Sequence, residues 1–118
     1  MGHDDTFAAA LALRKNGDLA GAIRLLVPLK EEHLQSAALY VTLGDLHKDL
    51  GQLEAALPYF QEATNIGPTS EVASLGLFHC LWAMDRRIAA LDEIKRFLSV
   101  TTSEQYDEIL AELTEDPE

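Results

Sequence analysis

Three short stretches bring together side chains that could do chemistry. His79 and Cys80 are adjacent, an imidazole beside a thiol, which is the raw material of a nucleophile. Neighbours on a helix point about 100° apart and do not face each other. Cys80 also lies between Leu77 and Leu81, so the expectation is a buried, inert thiol. Asp45, His47 and Asp49 are metal-ligating types within about one turn. Asp45 and Asp49 share a helix face, but His47 falls on another, so solvated charge is expected and a metal is not. Glu31, Glu32 and His33 read as a helix end reaching water. No phosphate loop, dinucleotide fingerprint or His-Glu-x-x-His helix is present. The expectation is a protein without cofactor, metal or catalytic site.

The bulk composition narrows the partners. The chain has 118 residues, one domain's worth, and 47% are hydrophobic, which is enough for a modest core. Only 7% are aromatic, while Ala and Leu are abundant, so helix is favoured over sheet. The formal net charge is −11, with an isoelectric point near 4.6. Such a surface repels phosphate backbones and anionic lipid, which argues against nucleic acid and membrane. The acid is unevenly spread: from Ser99 to Glu118 there is no Lys or Arg. One cysteine excludes an internal disulfide and fits a reducing compartment. No apolar run reaches membrane-spanning length and no signal peptide is read, so a cytoplasmic location is expected. The start, Met-Gly-His-Asp-Asp-Thr, matches a myristoylation pattern, but Asp4 and Asp5 stand where an anchor needs basic support; it is read as an ordinary N-terminus.

The chain also repeats itself. Shifted by 34 residues, Arg14–Leu26 falls on Lys48–Phe60. Gly17 meets Gly51, Leu19 meets Leu53, Ala22 meets Ala56 and Leu26 meets Phe60. A further shift brings Ala56 onto Ala90 and Phe60 onto Ile94, with Asp85 where the glycines stood. Small residues at Gly44, Ala56 and Ala63 allow paired helices to approach, and Tyr40, Leu43, Leu53 and Phe60 fill the space between them.

This pattern resembles the tetratricopeptide repeat, a helix–turn–helix unit of about 34 residues. The middle copy carries the resemblance best: Tyr40, Leu43-Gly44, His47 in the slot usually held by Tyr, then Ala56, Phe60, Ala63 and Pro68. The flanking copies are degenerate. Ala9-Ala10 and Leu77-Phe78 replace Leu-Gly, and Leu34 and Thr102 replace the closing Pro. The resemblance implies an all-α solenoid of three repeats, at about 3–36, 37–70 and 71–102. A seventh, capping helix follows at about 103–113, then an acidic tail at 114–118.

The spacing predicts seven helices, at about 4–16, 19–33, 36–50, 53–66, 70–84, 87–100 and 103–113. Gly17 and Gly51 suit the left-handed residue that ends a helix. Asp18 is placed to cap the next helix, Gln52 less well, Thr69 or Ser70 the fifth and Thr102 or Ser103 the seventh. Pro58 lies early in its helix and should be mild, whereas Pro28 lies later and should bend the second helix. The seventh helix has an apolar stripe of Tyr106, Ile109, Leu110 and Leu113, with acidic residues elsewhere.

In tetratricopeptide proteins the first helix of each repeat lines a concave groove. Carried onto this chain, that implies a partner-binding row of Asp4, Phe7, Leu11, Arg14 and Lys15. It continues through Ala38, Val41, Thr42, Asp45, Lys48 and Asp49, and then Val72, Leu75, Gly76, His79 and Trp82. Phe7, Leu11, Val41 and Leu75 would form an apolar strip, with Trp82 either at its end or against the seventh helix. Members that clamp a C-terminal carboxylate do so with Lys, Asn and Arg. The matching positions here are Phe7, Leu11, Thr42, Val72 and Gly76, so a chaperone-tail clamp is not expected. Arg14, Lys15 and Lys48 gather at one end, where they would steer an acidic segment. The expected function is a non-enzymatic adaptor or chaperone-like module that binds a protein or peptide segment. Self-association as a homodimer, and an acidic inhibitor or immunity-type role, are the alternatives.

Overall fold

Most of the helix ends described here carry start or stop chemistry that the sequence supplies. In the computed structural model, which describes residues 3–33 and 35–114, the chain forms α1 (His3–Lys15), α2 (Leu19–Leu26), α3 (Ala37–Asp49), α4 (Leu53–Ile66), α5 (Glu71–Ala83), α6 (Arg87–Val100) and α7 (Glu104–Thr114). The described residues contain no strand. Leu34, the N-terminal Met-Gly and the tail at 115–118 lie outside the described residues, as does the side chain of Asp4. The helices stack in order into an array 55 Å long and 27 × 21 Å across.

Among the described residues, four side-chain caps mark helix starts. Asp18 accepts from the Gly21 amide at 2.9 Å, Ser36 from Leu39 at 3.2 Å, Ser70 from Ala73 at 3.2 Å and Ser103 from Tyr106 at 3.1 Å. The serines therefore win over Thr69 and Thr102. Gln52 makes no cap; its side-chain oxygen lies 2.8 Å from His47 Nδ1 instead. The turns within the repeats are closed by a left-handed residue: Gly17 (φ 90°), Gly51 (φ 78°) and Asp85 (φ 61°). Asp85 is among the few non-glycine residues that visit this region readily.

The second helix departs from expectation. Its α-helical part stops at Leu26 and continues as a tight 3-10 turn over Val27–Glu31 with Pro28 at its start. Proline has no amide to donate to the carbonyl four residues back, and its ring crowds that carbonyl. The tighter turn is the local solution, and it still buries Leu29. Pro58, sixth in α4, leaves that helix unbroken to Ile66.

The core runs along the stack in two adjoining clusters. Ala10, Ala22, Leu26, Leu39, Leu43 and Leu46 join the first repeat to α3. Ala56, Phe60, Ala63, Leu77, Phe78, Ile94, Phe97 and Tyr106 join α4 through α7. Cys80 is fully buried among the latter, as expected, and its thiol points at the Leu53 carbonyl 3.6 Å away. Burial pushes its pKa up, so it is a poor nucleophile. His79 beside it faces outward.

Candidate functional site: the face of the first helices

The first helices α1, α3 and α5 carry the predicted row, and the structure sorts that row by depth. Phe7 and Leu75 are half-buried against the core. Leu11 and Val72 are exposed, at 42% and 65%. Val41 differs from the expected open strip. It is only 9% exposed and belongs to the core cluster. The reason is its neighbour set: α3 is flanked on both sides, whereas α1 and the start of α5 are less covered.

Several charged residues of the row lie close together. Arg14 reaches across from α1 to Asp49 of α3, with Nη2 3.3 Å from Oδ2. Asp45 sits one turn before Asp49 and is partly buried. Burial raises its pKa, and the neighbouring Lys48 and Arg14 partly offset that. His79 of α5 has its pKa lowered by burial and then by Lys48. Arg14, Asp45, Lys48, Asp49 and His79 therefore share one electrostatic neighbourhood across three helices. Lys15 is exposed at the end of α1. Arg14 is matched by Asp49, so among the described residues Lys15 and Lys48 are the members of the expected cationic group without an ion pair.

His47 lies at the core edge, as its repeat position implied. Its ring stacks on Tyr59, with centroids 5.4 Å apart and planes 12° from parallel. Trp82 is half-buried against its own helix, stacked on Phe78 at 5.7 Å, with the Arg87 guanidinium 5.0 Å over its ring. Among the described residues no group of His, Cys, Asp and Glu is arranged to hold a metal. None of the described helices is long and apolar enough to cross a membrane.

One polar site was not foreseen. Glu93 of α6 is 6% exposed, and Arg96 holds it with two bonds, Nε to Oε1 at 2.8 Å and Nη2 to Oε2 at 2.6 Å. Ser74 of α5, fully buried, donates to Glu93 at 2.6 Å, which leaves its oxygen to accept from the Tyr106 hydroxyl, also at 2.6 Å. Arg96 further donates to the Pro68 carbonyl at 3.0 Å. The Tyr106 ring meets Phe97 and Phe78 edge-on, at 5.5 and 5.9 Å. This seat fixes α7 on α5 and α6. Ile109 and Leu110 pack beside it, but Leu113, the last member of the predicted stripe, is 41% exposed. The available signal was Ser74 itself, which stands 34 residues after Tyr40 in the slot for an aromatic ring.

Comparison with known proteins agrees with this architecture. Residues 37–69 match the tetratricopeptide repeat family model. The solved structure of a MamA mutant superposes with a TM-score of 0.72 at 18% identity, over 85% of this chain and 73% of that one. No curated protein matches the chain. The fold is therefore an all-α repeat solenoid, and residues 37–69 within it match a tetratricopeptide repeat. Its middle repeat is the segment that the family model picks out.

Proposed function

We propose that this chain is a non-enzymatic interaction module, adaptor or chaperone-like, acting in the cytoplasm. Three repeats at about 3–36, 37–70 and 71–102 present the face of α1, α3 and α5 to a partner segment. The observation that carries this reading is the apolar surface left along those first helices. Leu11 and Val72 stand exposed, beside half-buried Phe7 and Leu75. A segment with spaced apolar anchors, helical or extended, would cover them. Lys15, Lys48, Asp45 and His79 border this strip and would set its polar contacts. Trp82 closes the row at α5. Tetratricopeptide repeats are generally protein-binding units, and that supports the same reading.

Affinity capture with wild type beside Leu11→Asp, Val72→Asp and Leu75→Asp tests it. The first two change exposed side chains and should leave the fold intact. Loss of the same partner from the folded variants is expected. If they retain every partner that wild type retains, the face is not the binding surface. Val41→Asp is unsuitable, because a carboxylate there would be placed in the core.

A further inference from the structure

The connection between α6 and α7 lacks the turn residues that close most of the others. Turns within the repeats have a left-handed residue, and α4 gives way to α5 through Gly67-Pro68. Between Val100 and Glu104 stand Thr101, Thr102 and Ser103, with no glycine, no proline and no positive φ. Two features stop α6 there. Thr101 is extended, at φ −161° and ψ −171°. Ser103 caps α7 and donates to Glu71 Oε2 at 2.5 Å. Thr and Ser are only mildly unfavourable inside a helix. The covalent structure thus permits α6 to run straight on into α7.

Straightening would lift Tyr106 off its seat. It would produce one helix from Arg87 to Thr114, about 42 Å long at 1.5 Å per residue. The seat left behind would expose the Phe78 and Phe97 rings. It would also leave the Ser74 hydroxyl without the Tyr106 donor that it accepts from, which is unfavourable for a buried group. The shape and polarity of that hole match a tyrosine on an acidic helix. The occupant that the structure itself shows to fit is α7.

We propose that two copies of this chain exchange α7, each placing its Tyr106 on the other's Ser74, Phe78, Glu93 and Phe97. The exchange closes on itself with two-fold symmetry. Its seat contacts are those already made within one copy, so they cancel between the two states. The hinge and the protein concentration then set the balance. The dimer would present two first-helix faces, a property that a single copy lacks.

The test uses the whole chain, equilibrated across a wide concentration range and read by sedimentation velocity and light scattering. Thr101→Ala, Thr102→Ala and Ser103→Ala combined favour a straight helix and remove the cap. Dimer formation should rise, by about tenfold for each hinge. Thr102→Pro blocks a straight helix. It suits the closed form, because the residue before it is already extended and the Thr102 amide makes no hydrogen bond among the described residues. That variant should be monomeric at all concentrations. The proposal is overturned if the triple-alanine chain is no more dimeric than wild type, including if both stay monomeric. It is equally overturned if Thr102→Pro dimerises as readily as wild type, which would indicate a dimer between intact surfaces.

Discussion

The ring of Phe60 lies in the space that a side chain on Gly76 would need. A methyl group built on Gly76 would collide with the ring, and one on Gly44 would come within 2.8 Å of it. Phe60 of α4 is thus wedged between α3 and α5, the first helices of two successive repeats, and both present bare backbone to it. This is the close approach that lets the stack pack without a void.

Gly76→Ala should destabilise the protein by roughly 1–3 kcal/mol, the cost of forcing extra volume into a packed core. Gly44→Ala should act in the same direction. Phe60→Leu should cost stability alone, yet relieve part of the Gly76→Ala penalty when the two are combined. Urea unfolding of the four chains in the cycle measures this, and simple additivity would mean that the ring and the glycine do not compete for space.

The Glu93–Arg96 pair predicts an asymmetry. Removing one partner, as in Arg96→Met, leaves a carboxylate nearly buried beside Ser74 and should destabilise strongly. The cost is about 3–5 kcal/mol for a fully buried pair, and less here because the arginine is 36% exposed. Replacing both, Glu93→Leu with Arg96→Met, should recover most of the loss. Chemical denaturation of the single and double variants decides it. A double variant as unstable as Arg96→Met alone would mean that the charge, rather than its isolation, matters.

Alkaline conditions should loosen α7. Burial, the leading cause, raises the Tyr106 pKa to about 12, above the value of roughly 10 expected when it is unfolded. A raised pKa contributes stability that is complete below the unfolded value. That contribution is lost as pH climbs through the folded one. Stability should therefore fall between about pH 10 and 12, and Tyr106→Phe should flatten that part of the profile. Phenolate absorbance beside thermal melts provides the check, and a Tyr106 that ionises at the ordinary value would contradict it.

Much of this fold was legible in the residues. The 34-residue offset set the helix pairs, and the serine caps and left-handed turn residues set most of their ends. These features are local, so the sequence displays them directly. Pro28 was legible as a disturbance but not as a 3-10 turn, because the outcome depends on Leu29 still reaching the core. Val41 could not be placed by pattern: its depth depends on helices on both sides of α3. The seat of Tyr106 was illegible for the same reason. Ser74, Glu93 and Tyr106 are far apart in the chain, and Ser74 in an aromatic slot does not by itself say which groups meet it.

The stacking of Trp82 on Phe78 has a practical consequence. Phe78 also meets Tyr106 edge-on, and Trp82 is the one tryptophan in the sequence. A single intrinsic fluorophore therefore stands between the row proposed to take a partner and the seat of α7. Its emission should respond to events on either side, so this protein can be followed unlabelled, with Thr102→Pro separating the two signals.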